Sequence, residues 1–292
     1  MMKDILQQYA NNFEESIKDL FESENSEYKI ISDACKYSLL LGGKRIRPFL
    51  INSFYMLCGG TGCYSFNFEA AMECIHTYSL IHDDLPCMDN DDMRRGKPSC
   101  HIKFGEEYAL LAGDALLTGA FGLASTTKNI DSALVLKALL ELSNSAGING
   151  MIGGQTVDLL YENKEADVEV LKLICSLKTG ALIKASCKIG CILAGANDKQ
   201  IVAAETFAQK LGLAFQIVDD ILDETSTEEK LGKPIHSDKE NNKSTFVSLL
   251  GIDECRRLVV VLTQEAKECL DIFGQKAETL KEFADYLCNR DY

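Results

Sequence analysis

Residues 73–98 read ECIHTYSLIHDDLPCMDNDDMRRGKP. Asp83, Asp84, Asp89, Asp91 and Asp92 crowd into ten residues, Arg94 and Arg95 follow as a pair, and Pro86 and Pro98 punctuate the run. Charged blocks are most often solvated surface. Here the acids follow an apolar, helix-compatible segment, 70–81, whose packing places the carboxylates at the end of a buried element. Packed carboxylates repel one another unless a cation neutralises them, and no lysine block is interleaved among these aspartates. The pattern therefore calls for a metal. Oxygen-only ligands without an accompanying His/Cys set suit Mg²⁺, which keeps several waters and shares carboxylates with substrate phosphates. Arg94 and Arg95 then read as phosphate clamps.

Two rival metal sites fail on spacing. An EF-hand loop beginning at Asp89 needs glycine at its sixth position, where Arg94 stands, and Met93 takes a ligand slot. His76, His82, Cys87 and His101 match no familiar zinc spacing.

The whole chain has 292 residues, 46% of them hydrophobic, enough for a sizeable core. No Pro/Ser-rich linker or break in composition divides it, so a single domain over 1–292 is expected. A formal net charge of -14 argues against nucleic acid or an anionic membrane as partner. A phosphorylated substrate stays open, because local arginines and metals decide that. The N-terminal MMKDILQQYANNFEES lacks a signal-type apolar core, and no run reaches transmembrane length. A cytoplasmic protein without stable membrane insertion is expected. The 12 cysteines, with no CxxC pair, read as reduced and mostly buried thiols.

Prolines stand only at positions 48, 86, 98 and 234, period-2 alternation is nearly absent, and long periodic apolar runs predict an all-α fold. In GGKRIRP, 42–48, the glycines break the preceding helix, and Lys44 and Arg47 fall three apart, on one face if a new helix starts there. Two cations at a glycine turn make an anion site. His76 and Asp83 lie seven residues apart on one helix face, so a protonated His76 is a candidate anion contact. His82 and His101 read as structural. The small residues of 99–122 predict close helix packing. Gln155 and Asp158 in GGQTVD are one turn apart, and Val170, Leu173, Ile174, Leu177 and Ala181 form an i, i+3, i+4, i+7 stripe. Lys178 and Thr179 precede Gly180, where a lysine at a loosened turn reaches into a cleft.

A second acidic cluster lies in ETFAQKLGLAFQIVDDILDE, 205–224. Phe207, Leu211, Phe215, Val218 and Leu222 form a core stripe, while Gln216, Asp219, Asp220 and Asp223 fall at i, i+3, i+4 and i+7. A solvated acidic face is the plain alternative; Gln216 and the following Lys230, Lys233, Lys239 and Lys243 favour a second site. The polar stretch 224–244 has the length of a lid. Two aspartate sets at helix ends, facing one another in a helical bundle, would hold Mg²⁺ around one diphosphate. They suit departure of a diphosphate leaving group, with an apolar pocket shielding a carbocation from water.

These residues resemble the trans-isoprenyl diphosphate synthases, and within them the bacterial farnesyl diphosphate synthases. The motifs carrying the resemblance are GGKRIRP at 42–48, DDLPCMD at 83–89, RRGKP at 94–98, GGQTVD at 153–158, KTG at 178–180, QIVDDILD at 216–223, LGKP at 231–234 and KST at 243–245. The resemblance implies an isoprenoid-synthase-type helical bundle around a central cleft and a homodimer. It implies that Asp83, Asp84, Asp89, Asp219, Asp220 and Asp223 hold Mg²⁺, about three ions with Mn²⁺ as a substitute, on an allylic diphosphate. Arg94, Lys178, Lys233 and Lys243 would grip that diphosphate, and Thr179 and Gln216 would face the nascent cation. Lys44, Arg47, His76 and Arg95 would bind isopentenyl diphosphate. Dimethylallyl and geranyl diphosphate would be the allylic substrates, and released pyrophosphate would take the proton, so no protein base is needed. Tyr78, with Ser79 beside it, would set product length: it lies about 7.5 Å behind Asp83 along the helix. Geranylgeranyl and geranyl diphosphate synthases share the chemistry. A terpene cyclase would lack the second diphosphate site, and a noncatalytic subunit would have lost aspartates. Arg290 is placed near the isopentenyl site only by conjecture.

Overall fold

Periodic apolar runs and scarce proline give helix almost throughout. The structure, a computed structural model, describes residues 2–162, 164–225 and 244–289. Among them the only strands are two of two residues each, so the fold is all-α. Lys230, Lys233, Lys239, Lys243, the lid expected over 224–244 in its span 226–243, and Arg290 lie outside the described residues.

The chain divides into two compact units. The first, Lys3–Phe49 and Cys63–Asp131, holds α1 (Met2–Ile17), α2 (Lys29–Leu39), the start of α3 (Ile46–Leu57), α4 (Phe66–Asp83), α5 (Cys100–Phe104) and α6 (Glu106–Ser125). Its core helix is α4, where Phe68, Ala71, Met72, Cys74 and Ile75 are fully buried, packed along α6. The small residues of α6 permit that approach, since a Cβ on Gly113 would meet His82 Nε2 at 2.0 Å. His82 uses the space to reach the Leu110 carbonyl at 3.0 Å.

Arg45, in the left-handed region at φ 49°, is only 3% exposed. Its Nε and Nη2 donate to Glu14 at 3.0 and 2.7 Å, Nη1 donates to Glu73 at 2.5 Å, and Nη2 also donates to the Leu39 carbonyl at 2.5 Å. One side chain thus ties α1 and α4 to the end of α2. Because α3 begins only at Ile46, Lys44 precedes it and Arg47 sits in its first turn. The two do not share a helical face, as their spacing had suggested.

The departure from helix is at RRGKP. β1 (Met93–Arg94) pairs with β2 (Lys97–Pro98), with Met93 opposite Pro98 and Arg94 opposite Lys97. Arg95 and Gly96 have φ of 53° and 74°, the two positive values of a type I′ hairpin turn.

The second unit comprises Leu50–Gly62 and the residues from Ser132 on. It holds α7 (Ser132–Ala146), α8 (Met151–Leu160), α9 (Val168–Ile174), a π-helical turn (Cys175–Thr179), α10 (Gly180–Leu193) and α11 (Asp198–Thr225). It ends in α12 (Phe246–Leu250), α13 (Ile252–Cys269), a 3₁₀ turn (Leu270–Ala277) and α14 (Glu278–Cys288). Helix α10, buried at 11 of 14 positions, packs on α7 and α11. Lys188 on it bridges Glu141 of α7 at 3.0 Å and Glu205 of α11 at 2.8 Å.

The π turn corrects the stripe expected over 170–181. A wider turn adds a residue and shifts the register, so Leu171 is buried while Leu173 is 46% exposed. Gly154 explains the glycines of GGQTVD: a Cβ there would meet the Lys178 backbone nitrogen at 2.1 Å, so α8 lies directly on the turn. In α11, Phe207, Leu211 and Val218 are buried as expected; Phe215 and Leu222 are partly exposed, and Ala204, Ala208, Ala214 and Ile217 complete the packed face.

Contrary to the expectation that no run reaches transmembrane length, α6 and α11 are each long and apolar enough to cross a membrane by length and composition alone. Both are bundle helices, α6 packed on α4 and α11 on α10 and α13, which accounts for their apolar character.

Replacing Arg45 by Met leaves Glu73, itself 3% exposed, as an unpaired buried charge. The expected loss is about 3–5 kcal/mol, read as a lower urea midpoint at unchanged m-value. Adding Glu73→Leu should recover most of it; a double variant as unstable as the single one would remove the ion pair as the cause.

Candidate active site

Helix C-termini carry partial negative charge, so carboxylates there are disfavoured without a compensating cation. Asp83 is the last residue of α4 and Asp84 its C-cap. The Asp89 N–H donates to the Asp83 carbonyl at 2.8 Å, folding the loop back with Asp89 exposed. Asp84 is 3% exposed and accepts from Arg94: Nε lies 3.0 Å from both carboxylate oxygens, and Nη2 donates to Oδ1. Burial still pushes the Asp84 carboxyl above its usual range, with Arg94 opposing the shift. A cation absent from the aspartate run itself is thus returned by the hairpin. The step that made a metal the only neutraliser is corrected to that extent.

Arg95, though adjacent, serves another group. Its guanidinium lies against Gly43, whose Cβ would meet Nη1 at 2.6 Å. Burial lowers the pKa of Arg47, Glu73 opposes the shift and Arg95 adds to it. Arg47 Nε is buried with no hydrogen-bond partner. Around His76 the charges are those of Arg47, Arg95, Arg45 and Arg94, and burial together with these cations holds the imidazole well below its usual pKa. His76 is therefore neutral near pH 7. The expectation of a protonated histidine is corrected: the arginines supply the charge and His76 a neutral polar contact. Lys44 is exposed beside this cluster in sequence. The group is a partly buried excess of positive charge, suited to an anion.

Tyr78 on α4 is 5% exposed, and its hydroxyl is buried without a hydrogen-bond partner. Burial, with Asp83 adding, pushes the phenol up to about 12. Ser79 donates to the His76 carbonyl at 2.9 Å, a bond within the helix.

In the second unit a cavity of about 210 Å³ is lined by Lys178, Thr179, Gln216 and Asp220, together with Asp158 and Phe246. Lys178 Nζ donates to Asp158 Oδ2 at 2.7 Å. Asp220 accepts from the Phe246 N–H at 2.8 Å and from Gln216 Nε2 at 3.2 Å. Asp220 and Asp223 are each 8% exposed, which removes the solvated-face alternative for them; Asp219 is partly exposed. All three lie in the last two turns of α11, again at the negative end of a helix dipole. Asp223 Oδ1 is buried with no partner. Burial and the nearby Asp220 and Asp158 push the Cys175 thiol up to about 12, a sign of negative potential in the cavity. Asp158 and Phe246 were not among the expected site residues. The one-turn spacing of Gln155 and Asp158 was the available signal for the first; nothing marked the second.

Among the described residues no group of three or more His, Cys, Asp or Glu side chains could hold a metal ion. That agrees with Mg²⁺, which takes one or two carboxylates and fills its shell with phosphate oxygens and water. The all-oxygen donors and the orphaned Asp223 oxygen fit such an ion.

A histidine held neutral when folded takes up its proton more readily when unfolded. Stability is then unaffected above the unfolded pKa of about 6.5 and falls as pH drops below it toward the lower folded value. His76→Gln should flatten the fall in melting temperature between about pH 7 and 5.5. An identical fall in both proteins would show that His76 titrates normally.

A family model described as Polyprenyl synthetase matches residues 28–287. The geranylgeranyl diphosphate synthase of Cyanophora paradoxa is 47% identical over 263 residues, 89% of this chain and 88% of the relative. The farnesyl diphosphate synthase of Escherichia coli (strain K12) is 40% identical over 267 residues, 89% of each chain. The crystal structure of a Helicobacter pylori geranyltransferase complexed with magnesium and isoprenyl diphosphate superposes with a TM-score of 0.85 at 36% identity, covering 98% of this chain and 96% of that one. The chain belongs to the polyprenyl synthetase family and is a prenyltransferase of isoprenoid synthesis.

Proposed function

We propose that the protein condenses isopentenyl diphosphate head to tail with dimethylallyl and then geranyl diphosphate, giving (E,E)-farnesyl diphosphate. The observation that carries this is the placement of buried aspartates at two helix C-termini, with Arg94 and Lys178 held on carboxylates beside them. Asp83, Asp84 and Asp89 with Asp219, Asp220 and Asp223 would hold Mg²⁺, which when bound neutralises charge on the departing diphosphate. Arg94 and Lys178, exchanging Asp84 and Asp158 for phosphate oxygens, grip the allylic diphosphate, with Lys233 and Lys243 assigned the same role. Thr179 and Gln216 turn their oxygens toward C1 as its bond to the diphosphate breaks. Arg47, Arg95 and Lys44 hold isopentenyl diphosphate with His76 as a neutral donor. Its double bond attacks C1, and the proton leaves to the released diphosphate.

Tyr78 closes the path of the growing tail. A geranylgeranyl diphosphate synthase is the second reading, favoured by the identity to the Cyanophora enzyme. A cytoplasmic enzyme forming one domain and pairing as a homodimer accompanies the proposal. Leu136 and Leu140, one turn apart on α7, are 68% and 61% exposed and suit such a contact.

The test is incubation with Mg²⁺, labelled isopentenyl diphosphate and either allylic starter, sizing the dephosphorylated products. C15 from both starters is expected; C20 keeps the reaction and transfers the proposal to the second reading, and no incorporation ends both. Tyr78→Ala should lengthen the product. Tyr78→Phe, which removes an unsatisfied buried hydroxyl, should keep product length while raising stability by about 1 kcal/mol or more. An unchanged length in Tyr78→Ala removes Tyr78 from the role.

A further inference from the structure

All 12 cysteines are free thiols, and most are buried. One pair differs from the rest. Cys58, at the end of α3, and Cys191, near the end of α10, hold their Sγ atoms 3.5 Å apart across 133 residues of chain and share a hydrogen bond. The approach is built by the adjacent glycine: a Cβ on Gly190 would meet the Ile51 carbonyl at 2.4 Å and the Tyr55 nitrogen at 2.8 Å. With no side chain there, α3 lies directly against α10. Phe54 then packs on Phe207, ring centroids 5.6 Å apart, and fixes the same contact. Cys58 is partly exposed and Cys191 buried, so one thiol is open to a small solute while the other is sheltered behind it.

We propose that Cys58 and Cys191 form a peroxide-driven, reversible disulfide that staples α3 to α10 within the second unit. In the first step the Cys58 thiolate attacks hydrogen peroxide, breaking the O–O bond and giving the sulfenic acid and water. In the second, the Cys191 sulfur attacks the Cys58 sulfur, forming the S–S bond as hydroxide leaves and takes up the Cys191 proton, giving a second water. Two thiols lose two electrons, and one peroxide gains them. The hydrogen bond between the sulfurs lowers the Cys58 pKa and raises that of Cys191, which assigns Cys58 as the peroxide-reactive thiol. The pair lies well along α10 from the Lys178 turn, Cys191 being 11 residues past Gly180 and so about 16 Å down the helix axis. The staple therefore leaves the cavity wall in place. Closing so long a loop restrains the unfolded chain, so the oxidised protein is the more stable form.

The experiment treats the fully reduced protein with stoichiometric hydrogen peroxide, blocks remaining thiols and maps tryptic peptides without reductant. The expected result is a cross-linked peptide pair joining Cys58 to Cys191, a mass 2 Da lower, a raised melting temperature and reversal by dithiothreitol. Cys191→Ser should instead accumulate Cys58 sulfenic acid, trapped by dimedone. Cys58→Ser, compared with the reduced wild type for native melting and activity, should lose the cross-link. Cys58 and Cys191 found as free thiols, Cys58 joined to another cysteine, or Cys58 carried to the sulfinic acid in the wild type would each overturn the proposal. The readout is chemical and stands or falls independently of the product assay.

Discussion

Both aspartate groups sit where a helix least tolerates them. The C-terminal end of a long helix carries about half a negative charge. Asp83 and Asp84 close α4, and Asp219, Asp220 and Asp223 crowd the last turns of α11. Three of these carboxylates are also largely buried, which adds desolvation to repulsion. Such an arrangement persists only if each charge meets a donor. Arg94 meets Asp84, and the Phe246 N–H and Gln216 meet Asp220. Asp223 Oδ1 meets nothing among the described residues. The local architecture follows from this requirement. The RRGKP hairpin returns an arginine to the end of α4, and the start of α12 offers a backbone N–H to the end of α11.

The same logic runs with opposite sign around His76. Arginines press on a ring that burial already holds neutral, and Arg47 keeps one buried N–H without an acceptor. The unit is short of negative charge there, while the aspartate ends are short of positive charge. Under the proposed chemistry a diphosphate answers the first deficit and divalent cations the second. Arg94 and Lys178 cannot hold a phosphate without leaving Asp84 and Asp158, and those carboxylates cannot be left alone. Binding is thus an exchange of ion pairs. Metal and diphosphate each relieve what the other's arrival exposes, so they bind better together than apart.

The sequence displayed much of this, unevenly. The spacing of Asp219, Asp220 and Asp223 at i, i+1 and i+4 needs only the helical period, and α11 forms as that period requires. GGKRIRP showed cations at a turn but not which of them is buried. Arg45 is inside because Glu14 and Glu73, 31 and 28 residues away, converge on it, and no local pattern encodes that. The π turn at Cys175–Thr179 was invisible for a related reason. It displaces the apolar stripe by one residue, and only the backbone crossing at Gly154 shows why. The two-residue strands of the hairpin were too short to carry any alternation. What could be read was periodic and local; what could not depended on partners distant in sequence.

Product length belongs to a third kind of information. Each round of condensation presents the same diphosphate head to the same charges, so the head cannot tell a second addition from a third. Only the tail differs, by one five-carbon unit, and the tail is apolar. Its length is limited by where it runs out of room. Forcing an extra group into a packed wall costs about 1–3 kcal/mol, and every 1.4 kcal/mol is a tenfold change in occupancy. A single ring can therefore stop elongation while the rest of the chain stays compatible with either product. This is why relatives of similar identity make different lengths, and why the size and backing of one side chain, Tyr78 on α4 with its hydroxyl buried and unpartnered, carries more weight than overall similarity.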